Sequence, residues 1–399
     1  MNAAVIAANA AVIAANAAIT AATAEAENTA ACQPTAATAA VLRARGTPYA
    51  IEAVTLAAPG PGQVLVEIRA CGICHTDVGV QNYEQGLPLP QVLGHEGAGV
   101  VLAVGDGVTN VERGDHVVLS YASCGHCGNC ADDHPQYCSD FMLLNYAGLL
   151  ADGRVPMQGA DGAIYGGFFG QSSFATHAIA YARNTVKIPA DLDFALAAPF
   201  GCGMQTGAGT VYNSLAPKAG QSLAVFGTGS VGLAALMAAV DSGCSPVIAV
   251  DINQDRIDLA MQLGASHGIL SDPAHLAADL RAILPNGVDF IVDTTGIAAI
   301  IRAGTESLAS RGQLAVLAVT PPGTEVSINP NLLLGGKAIR GAVEGDADPQ
   351  RFIPELIERH RAGRFPHDRL VTTYPFSAIN QAVADMRAGR VVKPVLVMD

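Results

Sequence analysis

The chain has little charge, and less of it is positive than negative. Of 399 residues only 14% are Asp, Glu, Lys or Arg, and 22 basic side chains face 35 acidic ones. The net charge of -13 repels a phosphate backbone. That argues against nucleic acid as a partner and leaves a neutral or cationic ligand unobstructed. Long apolar runs are also missing. Half the residues are apolar, much of this alanine, yet no run of about eighteen is free of polar breaks. No membrane-spanning helix is therefore expected, and no membrane partner. No Lys or Arg precedes Arg43, so the basic start of a secretion signal is absent.

What opens the chain instead is a repeat. Ala3–Asn9 (AAVIAAN) recurs as Ala10–Asn16, and Ala17–Thr23 is a degraded third copy. Each copy offers only a Val-Ile pair as large apolar surface. Residues 1–38 are therefore read as a low-complexity extension, disordered or weakly helical. The length beyond it suits two domains of ordinary size.

From Ala39 onward, Ala40–Arg43, Ile51–Leu56, Val64–Arg69, Val100–Val104 and His116–Leu119 read as short strands, with turns such as Pro59-Gly60-Pro61-Gly62 among them. The rhythm changes near Pro217. Apolar strand-like runs at Leu223–Phe226, Val247–Val250, Phe290–Val292 and Leu314–Val319 alternate with helical stretches such as Val231–Ser242. That alternation predicts a parallel sheet covered on both faces, hence an α/β fold. A helix at Gln350–Ala362 and a strand near Val391–Val397 are expected to return to the first domain.

Nine cysteines in a chain this large do not read as covalent staples. Cys124, Cys127, Cys130 and Cys138 follow C-x2-C-x2-C-x7-C. Four thiolates on a turn-rich loop supply all four tetrahedral positions of zinc, leaving none for substrate, so that metal is structural. An iron–sulfur cluster is the alternative for the same sulfurs, without other signs of electron transfer. Reduced thiolates imply a reducing cytoplasm. A catalytic zinc needs about three protein ligands and an open position. Cys74, His95 and Cys202 are candidates, but they are too far apart in sequence for spacing to join them. Read singly, Cys202 is equally a small buried residue and His95 a satisfied core histidine.

Gly227-Thr228-Gly229-Ser230-Val231-Gly232 fits G-x-G-x-x-G between a predicted strand and a predicted helix. Such a turn lets backbone approach a pyrophosphate at the positive helix end. Asp251 ends the next strand, about twenty residues on, where a carboxylate accepts ribose hydroxyls and repels a 2′-phosphate. NAD is expected over NADP.

Taken in order, GICHTD (Gly72–Asp77), GHEGAG (Gly94–Gly99), the four-cysteine lobe, GCGMQTGAG (Gly201–Gly209) and GTGSVG (Gly227–Gly232) resemble the zinc-containing medium-chain alcohol dehydrogenase family, over roughly residues 40–399. The resemblance implies a β-rich GroES-like catalytic domain at residues 39–205 and 344–399, and a Rossmann doubly wound parallel-sheet coenzyme domain at 206–343. It implies two zinc ions per chain, and oxidation of an alcohol to its aldehyde with hydride passing to NAD, or the reverse. Catalytic ligands carry over to Cys74, His95 and Cys202. Asp77 matches the acid that orients the histidine, and Glu96 a carboxylate behind the metal. Thr76 matches the hydroxyl that starts a proton relay. His75 and Lys393 match pyrophosphate contacts, Arg256 a base beside the adenosine ribose, and Thr206 falls in the coenzyme set.

One departure concerns the relay: where some relatives continue it through a histidine, this chain has Gly79, leaving bulk water or His75 to finish the route. The segment Gly166–His177 with Cys202–Gly207 resembles the aryl- and allylic-alcohol subgroup, exemplified by benzyl alcohol and geraniol dehydrogenases. Tyr121 is either a pocket-lining aromatic or a core residue. Two other readings compete. A glutathione-dependent formaldehyde dehydrogenase needs a basic anchor that the sequence does not reveal, and a non-catalytic zinc- and nucleotide-binding relative would have lost a catalytic ligand. Family members pair through the edge of the nucleotide-domain sheet, here near Ala338–Val343, as dimers or tetramers.

Overall fold

The computed structural model describes residues 33–82, 87–321 and 323–398. The opening repeat lies outside them. The chain divides into two compact units. One ends at Cys202 and regains Asp348–Pro354 and Leu370–Asp399; the other is Gly203–Ala347 with Glu355–Arg369. Among the described residues no helix is long and apolar enough to cross a membrane.

The first unit opens with β1 (Thr35–Leu42), β2 (Ala50–Leu56), β3 (Gln63–Gly72), β4 (Gln91–Val92) and β5 (Glu96–Val104). It continues through β6 (His116–Leu119), β7 (Met157–Gly159), β8 (Gly162–Ile164), β9 (His177–Tyr181) and β10 (Thr185–Lys187). The second unit carries β11 (Leu223–Phe226), β12 (Val247–Asp251), β13 (His267–Leu270), β14 (Val288–Asp293), β15 (Leu308–Val316) and β16 (Ala338–Gly341). Finally β17 (Val371–Pro375) and β18 (Lys393–Val397) rejoin the first.

In the first unit β4-β1-β2-β7-β8 form one sheet and β10-β6-β5-β3-β18-β17 another, with β9 also paired to β3. Strand β3 is central because it pairs along both edges. β5 covers one edge, while β9 takes Gln63–Glu67 and β18 takes Ala70–Gly72 on the other. Its run QVLVEIRACG is accordingly buried at most positions. A strand held this way is a rigid mount, and its end delivers Cys74 and the helix α1 (His75–Asn82).

The first strand begins four residues before the boundary read from sequence. Thr35–Thr38, assigned by sequence to the extension, pair antiparallel with Leu56–Ala53 of β2. Small residues there hide the strand from a pattern search, because the backbone ladder and not side-chain size holds it.

The second unit is a six-stranded parallel sheet in the order β13-β12-β11-β14-β15-β16. In order of appearance within the unit this is 3-2-1-4-5-6, the doubly wound dinucleotide-binding order. The unit opens on α2 (Gly203–Gly209). Its next long helix, α3 (Ser230–Asp241), is buried from Leu233 to Ala239. α4 (Gln254–Gln262) follows β12.

Helix α5 (Pro349–Arg361) corrects the sequence assignment, which gave the whole segment to the first domain. From Glu355 to Arg369 the chain belongs with the second unit. The reason is Asp241 at the end of α3. Its carboxylate accepts from Tyr212 Oη at 2.7 Å, from Arg364 at 3.1 Å and from Arg359, whose guanidinium also lies over the Tyr212 ring. Arg369 adds bonds to Gln262.

Burial pushes the Asp241 carboxyl up, but Tyr212, Arg364 and Arg359 together outweigh it and hold it below the usual range. A lowered folded pKa contributes stability that is complete above the unfolded value and is lost as pH falls through the folded one. Asp241→Ala is expected to cost about 2 kcal/mol at neutral pH. The deficit against wild type in urea melts should narrow below about pH 4; a deficit equally large at pH 7 and pH 3 would contradict the assignment.

Candidate metal centres and coenzyme site

Cys74 lies between β3 and α1, His95 and Glu96 at the start of β5, and Cys202 just after the 3-10 turn Ala198–Gly201. All four are buried, and their potential ligand atoms lie within 4.8 Å of one another. The organiser is Asp77, fully buried on α1. Oδ2 accepts the Cys74 amide at 3.0 Å; Oδ1 accepts the Gly94 amide at 3.0 Å and lies 3.0 Å from His95 Nδ1. With Nδ1 committed to Asp77, Nε2 is left buried with no hydrogen-bond partner among the described residues. An orphaned ring nitrogen beside two thiols fits a zinc ion, because a buried polar atom without a partner is otherwise costly.

The electrostatics agree. Burial pulls the His95 imidazole down, but the charge and hydrogen bond of Asp77, together with Cys74, outweigh it and hold His95 well above its ordinary value. Cys202 lowers Cys74 well below the ordinary thiol range, against burial and with help from His95. The metal-free pocket thus favours a thiolate beside a protonated imidazole, and a zinc ion bound there would take the place of that proton.

Behind this group sits a buried ion pair. Lys393 Nζ donates to both Glu96 oxygens at 2.8 Å and to the Ile73 carbonyl at 3.3 Å, and both side chains are fully buried. Lys393, which the resemblance pairs with a pyrophosphate, is thus engaged here with Glu96. It leads β18, which pairs with the end of β3, so its side chain enters beside Ile73 and reaches Glu96. Burial lifts the Glu96 carboxyl, opposed by Lys393; the Glu96 charge in turn holds Lys393 high against its own burial. Thr76 is half-buried, its Oγ1 3.7 Å from Cys74 Sγ, and His75 is exposed at the first position of α1.

Aromatic rings wall one side of His95. The imidazole stacks on Phe169 at 4.4 Å and meets Phe168 edge-on at 5.5 Å. Phe141 and Tyr146 back the Phe169 ring. Tyr121 is buried against Phe141, which makes it part of this packed cluster.

The sulfurs of Cys124, Cys127, Cys130 and Cys138 also lie within 4.8 Å of one another. Cys124–Cys130 are 3.9 Å apart and Cys127–Cys138 4.0 Å, near the roughly 3.8 Å edge of a zinc–thiolate tetrahedron. Backbone amides of Cys124, Cys127 and Ser139 point at sulfur. The Ser139 amide leads the donors that lower Cys127 to about 5. No described cysteine forms a disulfide.

In the second unit Gly227 follows β11 with φ +83°, and Gly229 has open space where a side chain would stand. A Cβ on Gly232 would lie 1.9 Å from the Gly227 carbonyl oxygen, so only glycine lets α3 approach the strand. Ser230 and Val231 open α3. Asp251 ends β12, where Oδ2 accepts the Thr228 amide at 2.6 Å and its hydroxyl at 2.7 Å, and Oδ1 accepts the Asn253 amide at 3.0 Å. Arg256 lies half-buried on α4, within reach of the Asp251 charge. Thr206, on α2, donates to Glu344 at 3.3 Å.

Sequence reasoning missed the Lys393–Glu96 pair, the buried amides of Gln171 and Asn184 beside the first cluster, and that of Asn145 between Ala122 and Phe141. Nothing in the sequence marks them, since most of their partners are main-chain atoms far along the chain.

A β-rich unit with two thiol-bearing clusters, joined to a 3-2-1-4-5-6 parallel sheet, defines a two-domain oxidoreductase of the medium-chain type. Residues 60–190 match the alcohol dehydrogenase GroES-like domain and residues 230–359 the zinc-binding dehydrogenase domain. Geraniol dehydrogenase of Castellaniella defragrans is 45% identical over 366 residues, 90% of this chain and 97% of that protein. Among solved structures, an alcohol dehydrogenase zinc-binding domain protein from Burkholderia ambifaria has a TM-score of 0.90 at 47% identity, over 92% of this chain and all of that one. Benzyl alcohol dehydrogenase from Acinetobacter calcoaceticus has 0.87 at 41%, again over 92% of this chain and all of that one. The chain belongs to the zinc-containing medium-chain alcohol dehydrogenase family. It is an oxidoreductase acting on small-molecule alcohols or aldehydes.

If the four-cysteine lobe holds metal, Cys127→Ser removes one of four sulfurs and lowers thermal stability, because a closed site contributes folding free energy. Differential scanning calorimetry with and without a chelator tests this. The chelator should lower the melting temperature of wild type; an unshifted wild type would exclude a structural metal.

Proposed function

We propose that the chain oxidises primary aryl or allylic alcohols to aldehydes, and reduces the aldehydes, with NAD as coenzyme and two zinc ions per chain. The observation that carries the chemistry is the His95 Nε2 atom, buried and unpartnered beside Cys74 and Cys202. Two cysteines and one histidine are the ligand set typical of catalytic zinc in alcohol dehydrogenases. When bound, zinc supplies a Lewis acid that makes the alcohol more acidic, and NAD a hydride acceptor.

The chain's own residues do the rest. Asp77 holds the His95 ring with Nε2 toward the ligand set. Thr76, beside Cys74, takes the alcohol proton on Oγ1 as it passes its own hydroxyl proton onward. Gly79 offers no side chain to carry the relay on, so the proton leaves by water, with His75 exposed nearby and available to pyrophosphate. Glu96 and Lys393 keep a neutral pair behind the centre, from which the carboxylate can approach the metal. The rings of Phe168, Phe169, Phe141 and Tyr121 give the unit an aromatic cluster suited to flat, apolar substrates. The names of the geraniol and benzyl alcohol dehydrogenase relatives point the same way.

Gly227–Gly232 and Thr206 are assigned to NAD. Thr228 holds the Asp251 carboxylate with lone pairs left for the ribose hydroxyls, its charge disfavours NADP, and Arg256 stands beside it. Cys124, Cys127, Cys130 and Cys138 hold the structural zinc. The chain works in the reducing cytoplasm as a homodimer or homotetramer, paired through the edge strand β16.

Metal analysis should return two zinc ions per chain. Thr76→Ala should cut kcat by about 10² to 10⁴-fold, the usual worth of a positioned proton acceptor, with zinc content unchanged; near-normal turnover would remove Thr76 from the reaction. Among benzyl alcohol, geraniol, hexanol and ethanol, kcat/KM should be highest for one of the first two. A preference for ethanol would overturn the substrate assignment.

A further inference from the structure

We propose that Gln171 is a positioning residue for the candidate catalytic metal centre, joining the segments that carry two of its ligands through one buried amide. The proposal rests on the reading of Cys74, His95 and Cys202 as zinc ligands.

A side-chain amide offers two donors and two acceptor lone pairs, and Gln171, fully buried, uses both groups twice. Nε2 donates to the His95 carbonyl at 3.0 Å and to the Ser120 carbonyl at 3.0 Å. Oε1 accepts from the Gly97 amide at 3.1 Å and from Ser173 Oγ at 2.7 Å. Two of these four bonds bracket Glu96, gripping the main chain on either side of it, and one of them is at His95 itself. A third reaches Ser120, whose hydroxyl donates to the Gly201 carbonyl at 2.7 Å, one residue before Cys202. A single polar path therefore runs from His95 through Gln171 and Ser120 to the backbone beside Cys202. Neither a hydroxyl nor a carboxylate can make these contacts, because two partners are carbonyl acceptors and two are donors.

The turn that presents Gln171 is strained in a way that fits a positional task. Phe169 and Ser172 have φ of +52° and +57°, left-handed values unusual for residues with side chains. Partners hold it there. Ser172 Oγ accepts the Phe168 amide at 2.9 Å and donates to the Val92 carbonyl at 2.7 Å. The amides of Ser173 and Phe174 donate to the carbonyls of Gly94 and Leu93. Asn184 Nδ2 lies on the carbonyls of Phe169, Gly170 and Ser120. The result is a strap along residues 92–97, the approach to His95 and Glu96. Its Phe169 ring also braces the flat face of the imidazole.

Loss of an outer partner that orients a metal ligand commonly weakens metal binding by about 10 to 100-fold. The test uses the full chain loaded with zinc, with the catalytic ion defined as the one that Cys74→Ser lacks. Release of that ion to a chelator should be about 10 to 100-fold faster in Gln171→Leu and in Gln171→Glu. Cobalt substituted at the same position should show a shifted ligand-field absorption in both. Asn145→Leu serves as the structural control: it removes a buried amide bonded to Ala122 and Phe141 backbone and should lower stability while leaving release of that ion and the cobalt spectrum unchanged. Wild-type release and spectrum in either folded Gln171 variant would make Gln171 a core-filling residue and leave the zinc assignment standing. Retention of both ions by Cys74→Ser would overturn the zinc assignment, and the role of Gln171 with it.

Discussion

The Asp77 carboxylate is the contact on which the candidate catalytic centre depends. It accepts the amides of Cys74 and Gly94 and lies on His95 Nδ1, so it sets two separate chain segments and one ring orientation at once. A buried carboxylate is tolerable only with such partners. The same bonds that satisfy Asp77 leave His95 Nε2 unsatisfied. The local hydrogen-bond arrangement thus presents a ready ligand atom to a cation, and the low dielectric around it strengthens every charge placed there.

The surroundings extend this logic outward. Lys393 and Glu96 neutralise each other within the same buried region, an arrangement that is no general source of stability but sets the charge behind the centre. Three buried amides, Gln171, Asn184 and Asn145, hold main-chain atoms that strands and helices leave unpaired. They bind the segments where Ser120, Phe169 and Ala122 sit, so precision there comes from side chains and not from a ladder.

The second unit follows a simpler rule. Its sheet order, the bare turn between β11 and α3 and the carboxylate ending β12 are linked by local contacts: Thr228 binds Asp251 across neighbouring strands. Because each piece lies close to the next along the chain, this unit is largely legible in the sequence. The strands Leu223–Phe226 and His116–Leu119 have the ends that pattern predicts. Pattern fails where side chains are small, as in Thr35–Thr38, and where charge pairing overrides chain continuity, as in Glu355–Arg369 around Asp241.

Sequence alone determined the cysteine lobe, the glycine turn with its acid, and the family, because each is written in short spacings or in a fixed order of motifs. It did not determine the cluster of Cys74, His95, Glu96 and Cys202. Those residues are scattered along the first unit, and only the pairing of β3 with β5, and Asp77 and Gln171 bonding across segments, brings them within ligand distance. Nor did it pair Lys393 with Glu96: the two meet because β18 enters the sheet beside the end of β3. Spacing encodes what neighbours do, and tertiary structure decides what distant residues become neighbours.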